Sequence, residues 1–187
     1  MKTTVKFAKV KEGAIIPSKR KEDAGYDIYP CFEQDYIKIE PHETVMIPTG
    51  IASSFSEDYV MELKERGSTG TKGIAQRCGV IDSGFRNEWQ VPITNTTEQA
   101  IYIMKNNYDI IEYDGYTEYV YPHYNIQRTN GIIIRPSTPP IIYPYEKAIC
   151  QALLLPVPET DIEEISYEEL KLIKSERGNG MLGSSGK

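Results

Sequence analysis

Histidine and cysteine are scarce here: two histidines and three cysteines in 187 residues. Cys31, Cys78 and Cys150 are odd in number and far apart, and neither His42 nor His123 has a Cys or His partner at ligand spacing. A zinc centre and a disulfide framework are both excluded as organising features, and the cysteines read as reduced packing residues. No apolar run approaches the roughly 18 residues of a membrane span, and residues 1–5 lack the apolar stretch of a secretory leader. A cytoplasmic location with no membrane partner is therefore expected. Basic residues are outnumbered, 21 against 27 acidic, for a net charge of -6. That balance excludes the basic stripe of a duplex binder, so no nucleic-acid partner is expected. It leaves room for a polyphosphate gripped by a few converging arginines.

Helical periodicity is nearly missing too. Residues 5–14 alternate apolar and charged side chains as a half-buried strand does, and 37–39, 44–47 and 59–63 read as further short strands. Pro41, Pro48-Thr49-Gly50 and residues 53–58 punctuate them, and Lys19-Arg20-Lys21-Glu22-Asp23 reads as a solvated loop. Short strands at this spacing predict an all-β sandwich or barrel. One helix start stands out, the capping box Ser166-Tyr167-Glu168-Glu169. In residues 78–93, Val80-Ile81 and Gln90-Val91-Pro92-Ile93 flank Asp82-Ser83-Gly84, a pattern that predicts a β-hairpin with a carboxylate at its mouth.

Five motifs follow one another along the chain. They are Ala24-Gly25-Tyr26-Asp27-Ile28, Glu65-Arg66-Gly67-Ser68-Thr69-Gly70, Gly79-Val80-Ile81-Asp82, Ala148-Ile149-Cys150-Gln151 and the glycine- and serine-rich run from Arg177 to Gly186. In this order they resemble the motifs of trimeric dUTPases, with one insertion between the third and fourth. The resemblance implies a jelly-roll-like barrel and a homotrimer whose active sites each draw on three chains. It also implies that dUTP is hydrolysed to dUMP and pyrophosphate, with Mg2+ as cofactor and water attacking the α-phosphorus in line.

The resemblance further implies roles for individual residues. Asp27 holds Mg2+ through water, in keeping with that ion's taste for oxygen ligands. Arg66, Gly67 and Ser68 approach phosphate oxygens. Gly67 stands where the family has serine, so either Ser68 or Thr69 supplies the hydroxyl. Asp82 is the catalytic carboxylate that orients and deprotonates water. Phe85, in place of the family's tyrosine, keeps the ring that excludes a ribose 2′-OH, while Asn87 replaces a glycine. The backbone of Val80 and Ile81, with Gln76 and Gln90, reads uracil in a pocket too tight for a 5-methyl group. Gln151 donates its amide N–H to a phosphate, and Ala148 replaces an arginine. Arg177, Gly183, Ser184 and Ser185 close over the phosphates, and Leu182, replacing phenylalanine, caps the base.

Residues 105–146 break the pattern, because the family joins their flanks almost directly. More than half of the fourteen tyrosines fall there, and Asp114-Gly115 and Asn130-Gly131 sit between short apolar runs as two-residue hairpin turns. A β-hairpin lobe inserted in a single 1–175 domain is expected, with 176–187 as a C-terminal active-site arm and with the lobe as a possible protein-partner surface. Two rival readings remain. A dCTP deaminase would need a glutamate where Pro92 stands, and a nucleotide-sensing regulator would bind a repressor-type partner through the insert.

Overall fold

The computed structural model describes residues 3–105, 109–113, 116–120, 127–129, 132–134 and 140–175. They fall into two compact units, Met1–Val157 and Pro158–Lys187. In chain order the first holds β1 (Lys6–Lys9), β2 (Gly25–Ile28), β3 (Tyr36–Ile39), β4 (Thr44–Pro48), β5 (Ile51–Ser54) and β6 (Tyr59–Lys64). There follow α1 (Gly67–Gly70), β7 (Ile74–Gln76), β8 (Val80–Ile81), β9 (Gln90–Asn95) and β10 (Ile101–Met104). Then come β11 (Asp109–Tyr113), β12 (Tyr116–Val120), β13 (Gln127–Thr129), β14 (Ile132–Ile134), β15 (Ile141–Pro144) and β16 (Cys150–Pro156).

The expected all-β, jelly-roll-like architecture is present. The larger sheets run β2-β16-β6-β8, β4-β9-β7 and β15-β10-β3, and β1 pairs with β5. Alternation decides which faces close the core: Met61 and Leu63 of β6 and Cys150 and Ala152 of β16 turn inward. β9, central in its sheet, is buried from Val91 to Asn95, as a strand covered on both faces must be. Ile28, Ile39, Ile47, Ile74, Ile93, Ile101, Ile103 and Trp89 complete one continuous cluster. Each such side chain contributes about 1.5–3 kcal/mol on burial.

Strands expected at 37–39, 44–47 and 59–63 are β3, β4 and β6. The first strand is shorter than its pattern suggested, ending at Lys9, although Val10 N–H still reaches Gly50 O at 2.8 Å. In the second unit α2 (Tyr167–Leu172) starts at the expected capping box. Ser166 N–H donates to Glu169 Oε2 at 2.8 Å, and Glu169 N–H to Ser166 Oγ at 3.2 Å.

The hairpin expected within residues 78–93 does not form. β8 pairs with β6, and β9 pairs with β4 and β7 in another sheet. The cause lies between them. Trp89 is fully buried and donates its N–H to Ile51 O at 2.8 Å, while Thr49 Oγ1 donates to Trp89 O at 2.7 Å. Glu88 accepts Gly50 N–H at 2.8 Å and meets Lys11 Nζ at 2.9 Å. These anchors tie the outgoing chain to the β4–β5 connection instead of to β8.

In the 105–146 stretch, β11 pairs with β12 and β13 with β14, both antiparallel. The Asp114-Gly115 and Asn130-Gly131 turns lie outside the described residues. The stretch does not lie wholly apart from the larger sheets. Its last strand, β15, runs parallel to β10 in a barrel sheet and buries Tyr143.

Candidate active site

β16 lies between β2 and β6, with Gln151 in register with Asp27 on one side and Lys64 on the other. Facing residues of neighbouring strands project from the same face. Because Cys150 and Ala152 point inward, Asp27 and Gln151 stand outward. Arg66, just past β6, turns back to them. Its Nε is 3.1 Å from Asp27 Oδ1, its Nη2 donates to Asp27 Oδ2 at 3.4 Å, and its Nη1 donates to Ala148 O at 3.2 Å. Both side chains of this ion pair remain about one-third exposed, at 31% and 35%, so ligand atoms can reach them. Gln151 Nε2 donates to Glu65 O at 2.9 Å.

The two candidate hydroxyls of the second motif differ in their surroundings at α1. Arg66 N–H donates to Thr69 Oγ1 at 3.1 Å, and the Thr69 hydroxyl donates to Arg66 O at 2.9 Å. Thr69 is buried and fully engaged, whereas Ser68 is exposed at the cleft. The N–H groups of Gly67 and Ser68 precede the first helical bonds, which run from Thr69 and Gly70 to Arg66 O at 3.0 and 2.9 Å. Such leading N–H groups have no partner within the helix. A Cβ on Gly67 would meet nothing within 4 Å.

Asp27, Arg66, Gly67, Ser68 and Gln151 line a cleft of ≈ 930 Å³ together with Ser18, Lys19, Arg20, Glu22 and Asp23. The solvated loop of the sequence is thus a wall of the site. Asp27 N–H donates to Ser18 O at 3.0 Å, and Asp23 clamps Arg20 through Nε at 2.8 Å and Nη2 at 3.0 Å. The basic run Lys19-Arg20-Lys21, two residues ahead of the first motif, was the available signal. The cleft holds three cations and three carboxylates, Asp27, Glu22 and Asp23. Among the described residues no three His, Cys, Asp or Glu side chains converge tightly enough to hold a metal unaided. Hard carboxylate oxygens of this kind fit a magnesium that arrives on a triphosphate and keeps much of its water.

Two buried groups lie under the cleft. Burial pushes the Cys150 thiol well up, against the pull of Arg66, so it remains a protonated packing residue. Tyr143, 1% exposed, donates its hydroxyl to Ala148 O at 2.6 Å.

A second cavity, ≈ 480 Å³, is lined by Glu62, Leu63, Lys64, Glu65, Gln76, Cys78 and Gly79. Cys78 adopts φ 51°, and Gln76 Nε2 donates to Arg77 O at 2.7 Å and to Cys78 O. The Gln76 amide therefore shapes the backbone beside it. Gly79 O accepts Leu63 N–H at 2.7 Å, so close that a Cβ on Gly79 would lie 2.9 Å from Leu63 O. Gln90 is elsewhere, on β9 opposite Pro48, and does not line this cavity. Val80 is exposed and Ile81 is half-buried against the core.

Past β8 the chain turns, with Phe85 N–H donating to Asp82 O at 3.0 Å. Arg86 braces the turn from Nη1 to Ser83 O and to Ser53 O, the latter at 3.3 Å. Asp82 and Phe85 are both exposed, a carboxylate and a ring at one turn. They are not beside Arg66. Ile81 faces Met61, which puts Asp82 level with Val60, while Arg66 lies beyond the other end of β6. The extended chain between those levels covers roughly 20 Å at about 3.3 Å per residue. Arg177, Leu182, Gly183, Ser184 and Ser185 lie outside the described residues.

Comparison with known proteins gives one consistent family. The dUTPase family profile matches residues 11–108. The deoxyuridine 5'-triphosphate nucleotidohydrolase of Nautilia profundicola is 28% identical over 187 residues, covering 98% of this chain and 99% of its own. That of Leptospira interrogans is 29% identical over 99 residues, 51% of this chain and 68% of its own. Among solved structures, the dUTPase of Staphylococcus bacteriophage 80alpha with dUPNHPP superposes with a TM-score of 0.68 at 26% identity. It covers 98% of this chain and 99% of that one.

Proposed function

The chain belongs to the dUTPase family and is a dUTP diphosphatase, turning dUTP and water into dUMP and pyrophosphate; we propose that it does so in sites assembled from several copies of itself, as a homotrimer. The observation that carries this is the register of β6. Asp82 and the Arg66–Asp27–Gln151 group stand at opposite ends of the same strand, too far apart for one nucleotide to touch both. A neighbouring copy brings its Asp82 turn to the phosphate cleft.

In that assembled site each residue has a limited task. The cavity at Gln76, Cys78 and Gly79 takes the uracil with backbone groups, and Phe85 lies against the deoxyribose. Asp82 accepts the proton of the attacking water as the bond to the α-phosphorus forms. Arg66, Ser68 and Gln151 hold the departing pyrophosphate, where charge accumulates in the transition state. Asp27 would hold a magnesium ion, which would supply charge neutralisation on the phosphate oxygens. Arg177, Ser184 and Ser185 are assigned to the triphosphate, and Leu182 to the base. The tyrosine-rich 105–146 stretch is assigned a protein partner, since a tyrosine offers an apolar ring and a polar tip to such a surface.

Complementation tests the shared site. Asp82→Asn and Arg66→Ala are each expected to be nearly inactive alone. After unfolding and refolding together, some sites combine the intact Asp82 of one copy with the intact Arg66 of another, and activity should return to a sizeable fraction of wild type. A mixture as inactive as its components would mean that each chain carries a whole site.

A further inference from the structure

Tyr143 lies buried beneath the phosphate cleft, and nothing in the five motifs assigns it a task. It sits on β15, in the stretch that separates the third motif from the fourth. Its ring is buried, with Lys72 Nζ 5.8 Å from the ring centroid. Its hydroxyl shares one acceptor with the cleft's arginine: Ala148 O takes 2.6 Å from Tyr143 Oη and 3.2 Å from Arg66 Nη1. Burial raises the phenol's pKa, while the Ser68 hydroxyl and the Arg66 guanidinium draw it down from close range. The phenol is thus a neutral, fixed donor to the carbonyl that also holds Arg66.

The acceptor's identity matters. Ala148 stands at a position where the resemblance leads one to expect an arginine, and its methyl can support nothing. What remains at that position is the carbonyl. A carbonyl oxygen has two lone pairs, and here one serves Arg66 and the other Tyr143. Arg66 also leans on Asp27, so its guanidinium is fixed from two directions.

We propose that Tyr143 is a positioning residue for the phosphate subsite, holding the Ala148 carbonyl so that Arg66 faces the β- and γ-phosphates. The stretch between the third and fourth motifs thereby contributes a side chain to the function of the cleft. This rests on the assignment of the cleft to the nucleotide's phosphates, and the test separates the two.

The test is Tyr143→Phe, which keeps the ring under Lys72 and leaves Ala148 O still bonded to Arg66. Affinities for the imido analogue of dUTP and for dUMP are measured by calorimetry, alone and combined with Arg66→Ala. Y143F should weaken the analogue about fivefold to tenfold while changing dUMP less than twofold. In the Arg66→Ala background the same change should have almost no further effect, because coupled residues are not additive. Equal losses for analogue and dUMP, or the same loss with and without Arg66, would overturn the proposal, as would a Y143F protein that fails to fold. If Arg66→Ala alone leaves the analogue's affinity intact, the fault lies in assigning the cleft to phosphates, not in Tyr143.

Discussion

Gly25 and Gln151 touch so closely that a Cβ on Gly25 would lie 2.6 Å from Gln151 Oε1 and 3.0 Å from its Cβ. The glycine is needed for space, not for backbone freedom, and it holds the amide against Glu65 O. Gly25→Ala should therefore turn the Gln151 amide away while the strand survives. The expected outcome is a loss of about tenfold in kcat/KM with a melting temperature close to wild type. A variant with unchanged kcat/KM would mean that Gln151 has no part in phosphate binding.

At Gly79 the crowding is against backbone. A Cβ there would meet Leu63 O at 2.9 Å, and that carbonyl cannot swing aside as a side-chain tip can. Gly79→Ala should cost about 1–3 kcal/mol, the usual range for forcing an added methyl into a packed site. It should also open the nucleoside cavity, so that dUMP affinity falls together with stability. Chemical denaturation and dUMP titration read the two effects, and a stable variant with normal dUMP binding would refute the assignment of that cavity.

The sequence and the fold agree where the local pattern carries the information. β3, β4 and β6 and the α2 capping box were legible because alternation and caps are local. Residues 78–93 were misread as a hairpin for a reason no local pattern contains. Trp89, Glu88 and Thr49 pull the outgoing strand into a different sheet through contacts with residues some forty positions earlier. Loop residues 18–23 looked merely solvated because charge alone does not say which cleft a loop borders. Tyr143 was hidden in a tyrosine-rich stretch, where no local pattern marks a ring that turns into the core.

Asp82→Asn should bind the imido analogue within about threefold of wild type and lose nearly all turnover. The side chain is exposed, and the turn it begins is held by the Asp82 carbonyl and by Arg86 rather than by the carboxylate. An amide keeps the shape but cannot take the water's proton. Near-normal pyrophosphate release by this variant would remove Asp82 from the chemistry.

Thiol labelling reports on the nucleoside cavity. Cys31 and Cys150 are buried and Cys78 is exposed beside Gly79. Under native conditions one equivalent of a thiol reagent should react, and all three only after unfolding. The labelled enzyme should bind dUMP poorly, and saturating dUMP should slow the labelling at least fivefold. Labelling unaffected by dUMP would place the base somewhere else.

The last prediction concerns how much of 105–146 can be removed. β10 and β15 are parallel neighbours, with Ile101 opposite Ile141 and Met104 opposite Pro144. Parallel strands cannot be joined by a tight turn, because the chain must return along the strand, roughly 13 Å here at about 3.3 Å per residue, before it re-enters the sheet. Such crossovers take about a dozen residues. Replacing 106–139 with a Gly-Ser link of about twelve residues keeps β15 and Tyr143, and should leave a trimer within about tenfold of wild-type activity while abolishing any protein partner. Replacing all of 105–146 with a short link also removes β15 and its tyrosine. That variant should lose a further fivefold to tenfold in kcat/KM, with the loss concentrated in triphosphate affinity. Light scattering, the pyrophosphate assay and a pull-down on the two proteins decide it. A monomeric or inactive 106–139 replacement would make β11–β14 part of the catalytic architecture, and equal activity of the two replacements would deprive β15 of the role given to it.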